Sequence, residues 1–152
     1  MIISFFGHAQ FQKTGEYEHE ILAFLEHQVG EGNADLYFGG YGDFDRFAYD
    51  CCKKYRNTHP NVSLIFITPY LTVEYQQKQL AYRKEQYDAI LYPEIEDKPL
   101  RFAISYRNKW MVEKSDYVVC GIDHDFGGAY QAYRHARRLK KPILNVTGKL
   151  FS

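Results

Sequence analysis

The sequence predicts an α/β fold, a mostly parallel sheet with helices on both faces, built as a single domain over residues 1–152. Three observations lead there. Short apolar runs alternate with stretches of helical period along the whole chain. The runs are apolar at consecutive positions rather than at every second one, as in strands covered on both faces. Several end in glycine or proline just before the next helical stretch, the punctuation of strand–turn–helix units.

Taken in order, Ile2–Phe6 is a continuous apolar run stopped by Gly7, and it reads as a buried first strand. His8–Thr14 is a polar loop. From Gly15, residues Tyr17, Ile21, Phe24, Leu25 and Val29 recur at helical spacing, and Gly30 with Gly32 closes that helix. Leu36–Phe38 is a short second strand. A helix then runs from Asp43 to Thr58, with Phe44, Phe47, Ala48, Cys51 and Tyr55 on one face, until His59-Pro60 breaks it. Val62–Ile67 is the third strand, rich in β-branched and aromatic residues. Thr68-Pro69-Tyr70 makes a loop, and the charged, glutamine-rich stretch Leu71–Tyr87 reads as a solvent-facing helix. Ala89–Tyr92 is a fourth strand, Pro93–Pro99 an exposed acidic loop and Leu100–Lys114 a helix. Asp116–Ile122, Phe126–Lys140 and Pro142–Val146 complete the pattern as strand, helix and strand.

Composition sets limits on function. The 152 residues suffice for a substantial core, and 45% apolar with 25% charged residues is ordinary for a soluble globular chain. Lys+Arg and Asp+Glu both number 19, so no basic excess points to nucleic acid, which is not expected as a partner. The one basic cluster, Arg134 to Lys141, reads as a solvated helix end. Three cysteines without CxxC or Cys/His spacing read as reduced, and no cofactor is expected. No apolar run is long enough for a membrane span and no basic leader precedes Ile2, so a cytoplasmic protein with no membrane partner is expected. Fourteen tyrosines suit a stacking surface or a partner interface, and a homodimer fits.

Two glycine turns stand out. Gly39-Gly40-Tyr41-Gly42 lies between the second strand and a helix, and Gly127-Gly128-Ala129 between the fifth strand and a helix. Such a junction presents free N–H groups and the positive end of a helix dipole to an anion, typically a phosphate. The plainer alternative is that the glycines only make the corners. In an open parallel sheet both turns fall at the carboxyl edge, where ligands bind at the point of strand-order reversal. That edge also gathers Gly7-His8 and Pro69-Tyr70.

The order of these motifs resembles a known family. Gly7-His8, then Gly39-Gly40-Tyr41-Gly42-Asp43-Phe44-Asp45, Pro69-Tyr70, Arg107-Asn108-Lys109-Trp110-Met111 before Ser115-Asp116, and Gly127-Gly128-Ala129 follow the YpsA-like branch of the SLOG superfamily. That superfamily is the Rossmann-like group named for the DNA-processing protein DprA and the LOG enzymes. The resemblance implies a Rossmann-like domain and a nucleotide or nucleotide-derived small molecule as ligand. Some SLOG members sense such ligands; the LOG branch cleaves the N-glycosidic bond of a cytokinin nucleoside monophosphate. Arg107 matches the LOG arginine before the fifth strand. Two departures stand against a direct transfer. Aligning Ala129 with the threonine of the LOG Gly-Thr-x-x-Glu signature puts Ala132 at the catalytic glutamate, and alanine neither stabilises an oxocarbenium ion nor activates water. Ala9 follows His8 where YpsA-like chains carry arginine.

Each candidate residue has a structural alternative. Asp43 reads as an N-cap before a ligand group, and Asp45 as either a site carboxylate or a first-turn acid. Phe44 suits the helix core or a base. His8 suits a phosphate donor, a general base or a loop brace. Tyr70 suits base stacking or a rim position. Arg107 suits bidentate phosphate binding or an ion pair with Glu113 or Asp116. Tyr130 lines the pocket or packs in the core. Asp123, His124 and Asp125 are consecutive, and neighbours in a strand-end loop rarely all face one ion, so no metal site is expected. The expected function is nucleotide capture by a sensor or binding module. Its ligand-binding set is Gly7, His8, Gly39, Gly40, Gly42, Asp43, Phe44, Asp45, Pro69, Tyr70, Arg107, Gly127, Gly128, Ala129 and Tyr130. The alternative is a LOG-like hydrolase using Asp45 and Arg107, which the missing glutamate disfavours.

Overall fold

The computed structural model describes residues 1–151. Six strands form one parallel sheet: β1 (Ile2–Gly7), β2 (Ala34–Phe38), β3 (Val62–Ile67), β4 (Ala89–Leu91), β5 (Tyr117–Gly121) and β6 (Ile143–Asn145). Their order is β4-β3-β2-β1-β5-β6. The chain therefore steps outward from β1 on one side, then returns past it to build β5 and β6 on the other. Strand order reverses at β1/β5, and a crevice opens above their carboxyl ends.

Side-chain alternation along each strand splits the core into two layers. Ile3 and Phe5 of β1, with Leu36, Phe38, Leu64 and Phe66, face the helices α1 (Gly15–Gln28) and α2 (Asp43–Arg56). Phe6, Tyr37, Ile65, Ile67 and Val118 face α5 (Ala103–Lys114) and α6 (Gly128–Arg138). The α/β architecture with helices on both faces is as the sequence predicts. Thr14 caps α1, its hydroxyl accepting from the Tyr17 amide at 3.1 Å.

Three details differ from the periodicity. Strand β2 begins at Ala34 rather than Leu36, because Asp35 pairs in register with Ile2 of β1. Leu71–Tyr87 is not one regular helix: α3 (Val73–Tyr75) passes through a π-helical turn, Gln76–Leu80, into α4 (Ala81–Gln86). The helix at residue 100 starts as a 3₁₀ turn, Leu100–Phe102, before α5. No helix among the described residues is long and apolar enough to cross a membrane.

Candidate functional site

A cavity of about 620 Å³ occupies the crevice above β1 and β5, a size usual for small-molecule sites. Eight of the expected residues line it: Gly7, His8, Gly39, Asp45, Arg107, Gly127, Gly128 and Ala129. The early and late glycine turns thus converge on one space. Their contributions differ.

Two amides of the early turn are already bonded within the protein. The Asp43 amide donates to the Ala9 carbonyl at 2.8 Å, and the Phe44 amide to His8 at 3.3 Å. The Gly40 and Gly39 amides lie near the Asp45 carboxylate and favour its charged form. The glycines here serve close packing. A Cβ on Gly42, at φ +97°, would lie 2.8 Å from the Ala9 Cα, and one on Gly40 2.4 Å from the Phe66 ring. Gly40 and Gly42 face a second hollow of about 600 Å³ on the far side of the turn. Two of the amides expected to cradle a phosphate at this turn, those of Asp43 and Phe44, are thus already bonded. The N-cap also moves: Gly42 holds that position, and Asp43 is the first helical residue, its carboxylate accepting from the Phe11 amide at 3.2 Å.

The late turn is open. Gly127 is the N-cap of α6 at φ +95°, ψ 171°, a region in which essentially only glycine rests. A Cβ on Gly127 or Gly128 would meet nothing within 4 Å. The amides of Gly128, Ala129 and Tyr130 have no acceptor among the described residues, as at any uncapped helix start. With Gly127, Gly128 and Ala129 lining the cavity, these donors and the positive helix end open on it.

Opposite them lies a buried pair of charges. Arg107 is 6% exposed, and its Nη1 donates to the carbonyls of Gly39 at 3.1 Å and Ile67 at 2.9 Å, with Nε on Asn108 Oδ1 at 2.9 Å. It ties the carboxyl ends of β2 and β3 together. The alternative reading, a surface ion pair with Glu113 or Asp116, is not made. Nη2 makes no hydrogen bond among the described residues, and Arg107 lines the cavity. Burial lowers the Arg107 pKa to about 10, with Asp45 working the other way, so the guanidinium keeps its charge near neutrality. Burial raises Asp45 to about 6 against the Gly40 amide, Arg107, Arg83 and the Gly39 amide. A carboxyl that titrates near neutrality in a cleft wall is a recognised mark of a functional site.

His8 is 6% exposed and stacks face to face on His124, with centroids 3.4 Å apart and planes at 11°. Its pKa is lowered by burial and then by His124, against Asp123.

Four expected residues lie elsewhere. Phe44 is fully buried beneath the cavity floor, because its ring fills the space left by Gly7 and Gly121. Pro69 is buried, and Tyr70 lines a separate groove with Leu100 and Arg101, edge-on to Tyr75. Tyr130 is buried in the core against Tyr133 and Phe151. The aromatic groups at the cavity are instead Tyr41 and Phe126, 80% and 65% exposed, one from each glycine turn. Their signal was in the sequence: a bulky ring beside glycines in a turn has little to pack against. Phe5, Phe6, Ala9, Gln10, Ile104, Asn108 and His124 complete the lining; of these, Gln10 and Ile104 carried no signal in the residue pattern.

No family model matches the chain. UPF0398 protein BH1768 of Halalkalibacterium halodurans is 28% identical over 123 residues, covering 77% of this chain and 62% of that protein. DNA processing protein A (DprA) of Streptococcus pneumoniae superposes with a TM-score of 0.64 at 14% identity, over 93% of this chain and 48% of that one. DNA processing protein A of Helicobacter pylori superposes with a TM-score of 0.59 at 18% identity, over 94% and 63%. The chain shares the Rossmann-like fold of these two DNA-processing proteins. The chain spans less than two thirds of the length of each of these proteins. The Helicobacter pylori protein binds single-stranded DNA. Balanced bulk charge therefore does not exclude nucleic acid for this fold, and the expectation of no such partner is corrected. Local donors at one sheet edge, which net charge cannot register, are what phosphate contacts need.

Proposed function

We propose that this chain binds a nucleotide unit in the β1/β5 crevice, either as a free nucleotide or nucleotide-derived molecule or as one unit of a single strand. The observation that carries the proposal is the set of three unoccupied amides at the start of α6, open to the cavity beside Gly127 and Gly128. A phosphate there accepts from the amides and meets the helix dipole. Arg107 Nη2 adds a buried cation. Tyr41 and Phe126 offer ring faces for a base at the rim. Three buried, unpaired cysteines suit a reducing compartment, and a cytoplasmic location belongs to this reading.

Thermal-shift and calorimetric titrations with nucleoside monophosphates, ADP-ribose and short oligothymidylate test it. A ligand at 100 times its Kd adds about 2.7 kcal/mol of apparent stability, or roughly 5–11 °C for a chain of this length. Oligonucleotide binding without mononucleotide binding assigns the site to a strand, and the reverse assigns it to a small molecule. No shift with any of them removes the proposal.

One observation favours a second reading, hydrolysis. Asp45, at about 6, has the proton affinity of a general acid or base in the cavity wall. Ala132, the residue in place of the LOG glutamate, is buried in the core beside α5. Release of free base from a nucleoside monophosphate, lost in Asp45→Asn, would establish hydrolysis; its absence leaves binding alone.

A further inference from the structure

We propose that His8, Asp123 and His124 form a binding site for a divalent first-row transition ion at the edge of the crevice. The three residues come from the loops after β1 and β5, the two strands at the reversal of strand order. One donor atom from each lies within 4.8 Å of the others. Asp123 Oδ1 stands between the imidazoles, 2.6 Å from His124 Nδ1 and 3.5 Å from His8 Nε2. Asp125, the third member of the acidic triplet, takes no part.

A second observation singles out the ion as occupant. His8 Nε2 is buried and has no hydrogen-bond partner, while the rest of its side chain is 94% removed from solvent. A buried ring nitrogen without a partner is costly unless something fills its lone pair. The donor set defines the class of ion. Two imidazoles with one carboxylate suit zinc and its neighbours, and suit calcium or magnesium poorly. Three protein ligands leave positions open for water or a ligand oxygen, and His8 and His124 both border the cavity.

Loading requires one movement. In the stacked arrangement the two ring planes are nearly parallel, and no ion lies in both. Metal–ligand bonds of about 2.0–2.2 Å let two donors stand at most roughly 4.4 Å apart. His124 is the ring that turns: its side chain is 35% exposed on the loop before α6, whereas His8 is held in the floor.

The proposal is independent of the nucleotide reading, and the test contains no nucleotide, so the two fail separately. Untagged protein is titrated with zinc chloride by calorimetry and with cobalt(II) by visible absorption. One ion per chain is expected. Asp123→Ala and His124→Ala, both at solvent-accessible positions, are each expected to weaken zinc by more than the roughly 10–100-fold that loss of an outer partner costs. His19→Ala, on the exposed side of α1, is expected to leave it unchanged. In the wild type, long-range ¹⁵N–¹H spectra are expected to show zinc moving the His8 Nε2 resonance. Absence of saturable one-to-one binding, unchanged affinity in both variants, or an unmoved His8 resonance overturns the proposal.

Discussion

The Phe44 ring lies directly on Gly7: a Cβ built at position 7 would stand 2.1 Å from the ring Cγ. The contact joins the end of β1 to the start of α2 beneath the crevice. Gly7→Ala drives a methyl group into a fully buried ring, and overpacking of this kind costs about 1–3 kcal/mol. Urea denaturation should report that loss with an unchanged m-value, and Phe44→Leu in the same background should return part of it.

The two glycines of the late turn separate stability from binding. Gly127 sits at φ +95°, so Gly127→Ala should cost about 1–3 kcal/mol of backbone strain. Gly128→Ala meets nothing within 4 Å and, in the first turn of α6, should fold as well as the parent. Its methyl group would face the position assigned to the phosphate, so nucleotide affinity should fall while the melting temperature holds.

Asp45 gives stability a particular dependence on pH. Its pKa is raised in the fold from 3.8 to about 6, so the folded chain holds that proton more tightly than the unfolded chain. Its contribution is fully present below pH 3.8 and is lost as pH rises through 6, amounting to about 3 kcal/mol at order-of-magnitude level. The difference in unfolding free energy between wild type and Asp45→Asn, measured from pH 4 to pH 8, should therefore move against the wild type across that window. A flat difference would mean that Asp45 is solvated.

Arg107 acts as a tie before it acts as a ligand group. Removing it leaves the Gly39 and Ile67 carbonyls without their charged donor, at about 1.5–3 kcal/mol each. Arg107→Met should be strongly destabilised in thermal melts, even without nucleotide. A variant of parental stability would contradict that role.

Tyr41 and Phe126 touch little of the core, so their alanine variants should stay within about 0.5 kcal/mol of the parent in stability. If bases stack on them, each substitution should cost about 1–3 kcal/mol of nucleotide or oligonucleotide binding. Tyr70→Ala, at a separate groove, should change nothing in the same titration.

Much of this was legible in the residues. Val62–Ile67 is a strand at the bounds its composition sets, and the glycine turns mark the right edge of the sheet. What stayed hidden depended on distant partners. The Asp43 and Phe44 amides are taken by Ala9 and His8, more than thirty positions earlier, and no local pattern announces that pairing. Phe44 and Tyr41 are both aromatic residues of one turn, yet one is fully buried and the other 80% exposed. The difference arises because Gly7 and Gly121 leave room for the Phe44 ring alone. Arg107 reads as a phosphate ligand in the sequence, while its carbonyl partners appear only once β2 and β3 lie side by side.

A ¹H–¹⁵N correlation titration with adenosine 5′-monophosphate tests the central claim most directly. The amides of Gly128, Ala129 and Tyr130 should shift most, with the Gly40–Phe44 amides nearly still. Largest shifts at Gly40–Phe44, or none at residues 128–130, would contradict the account.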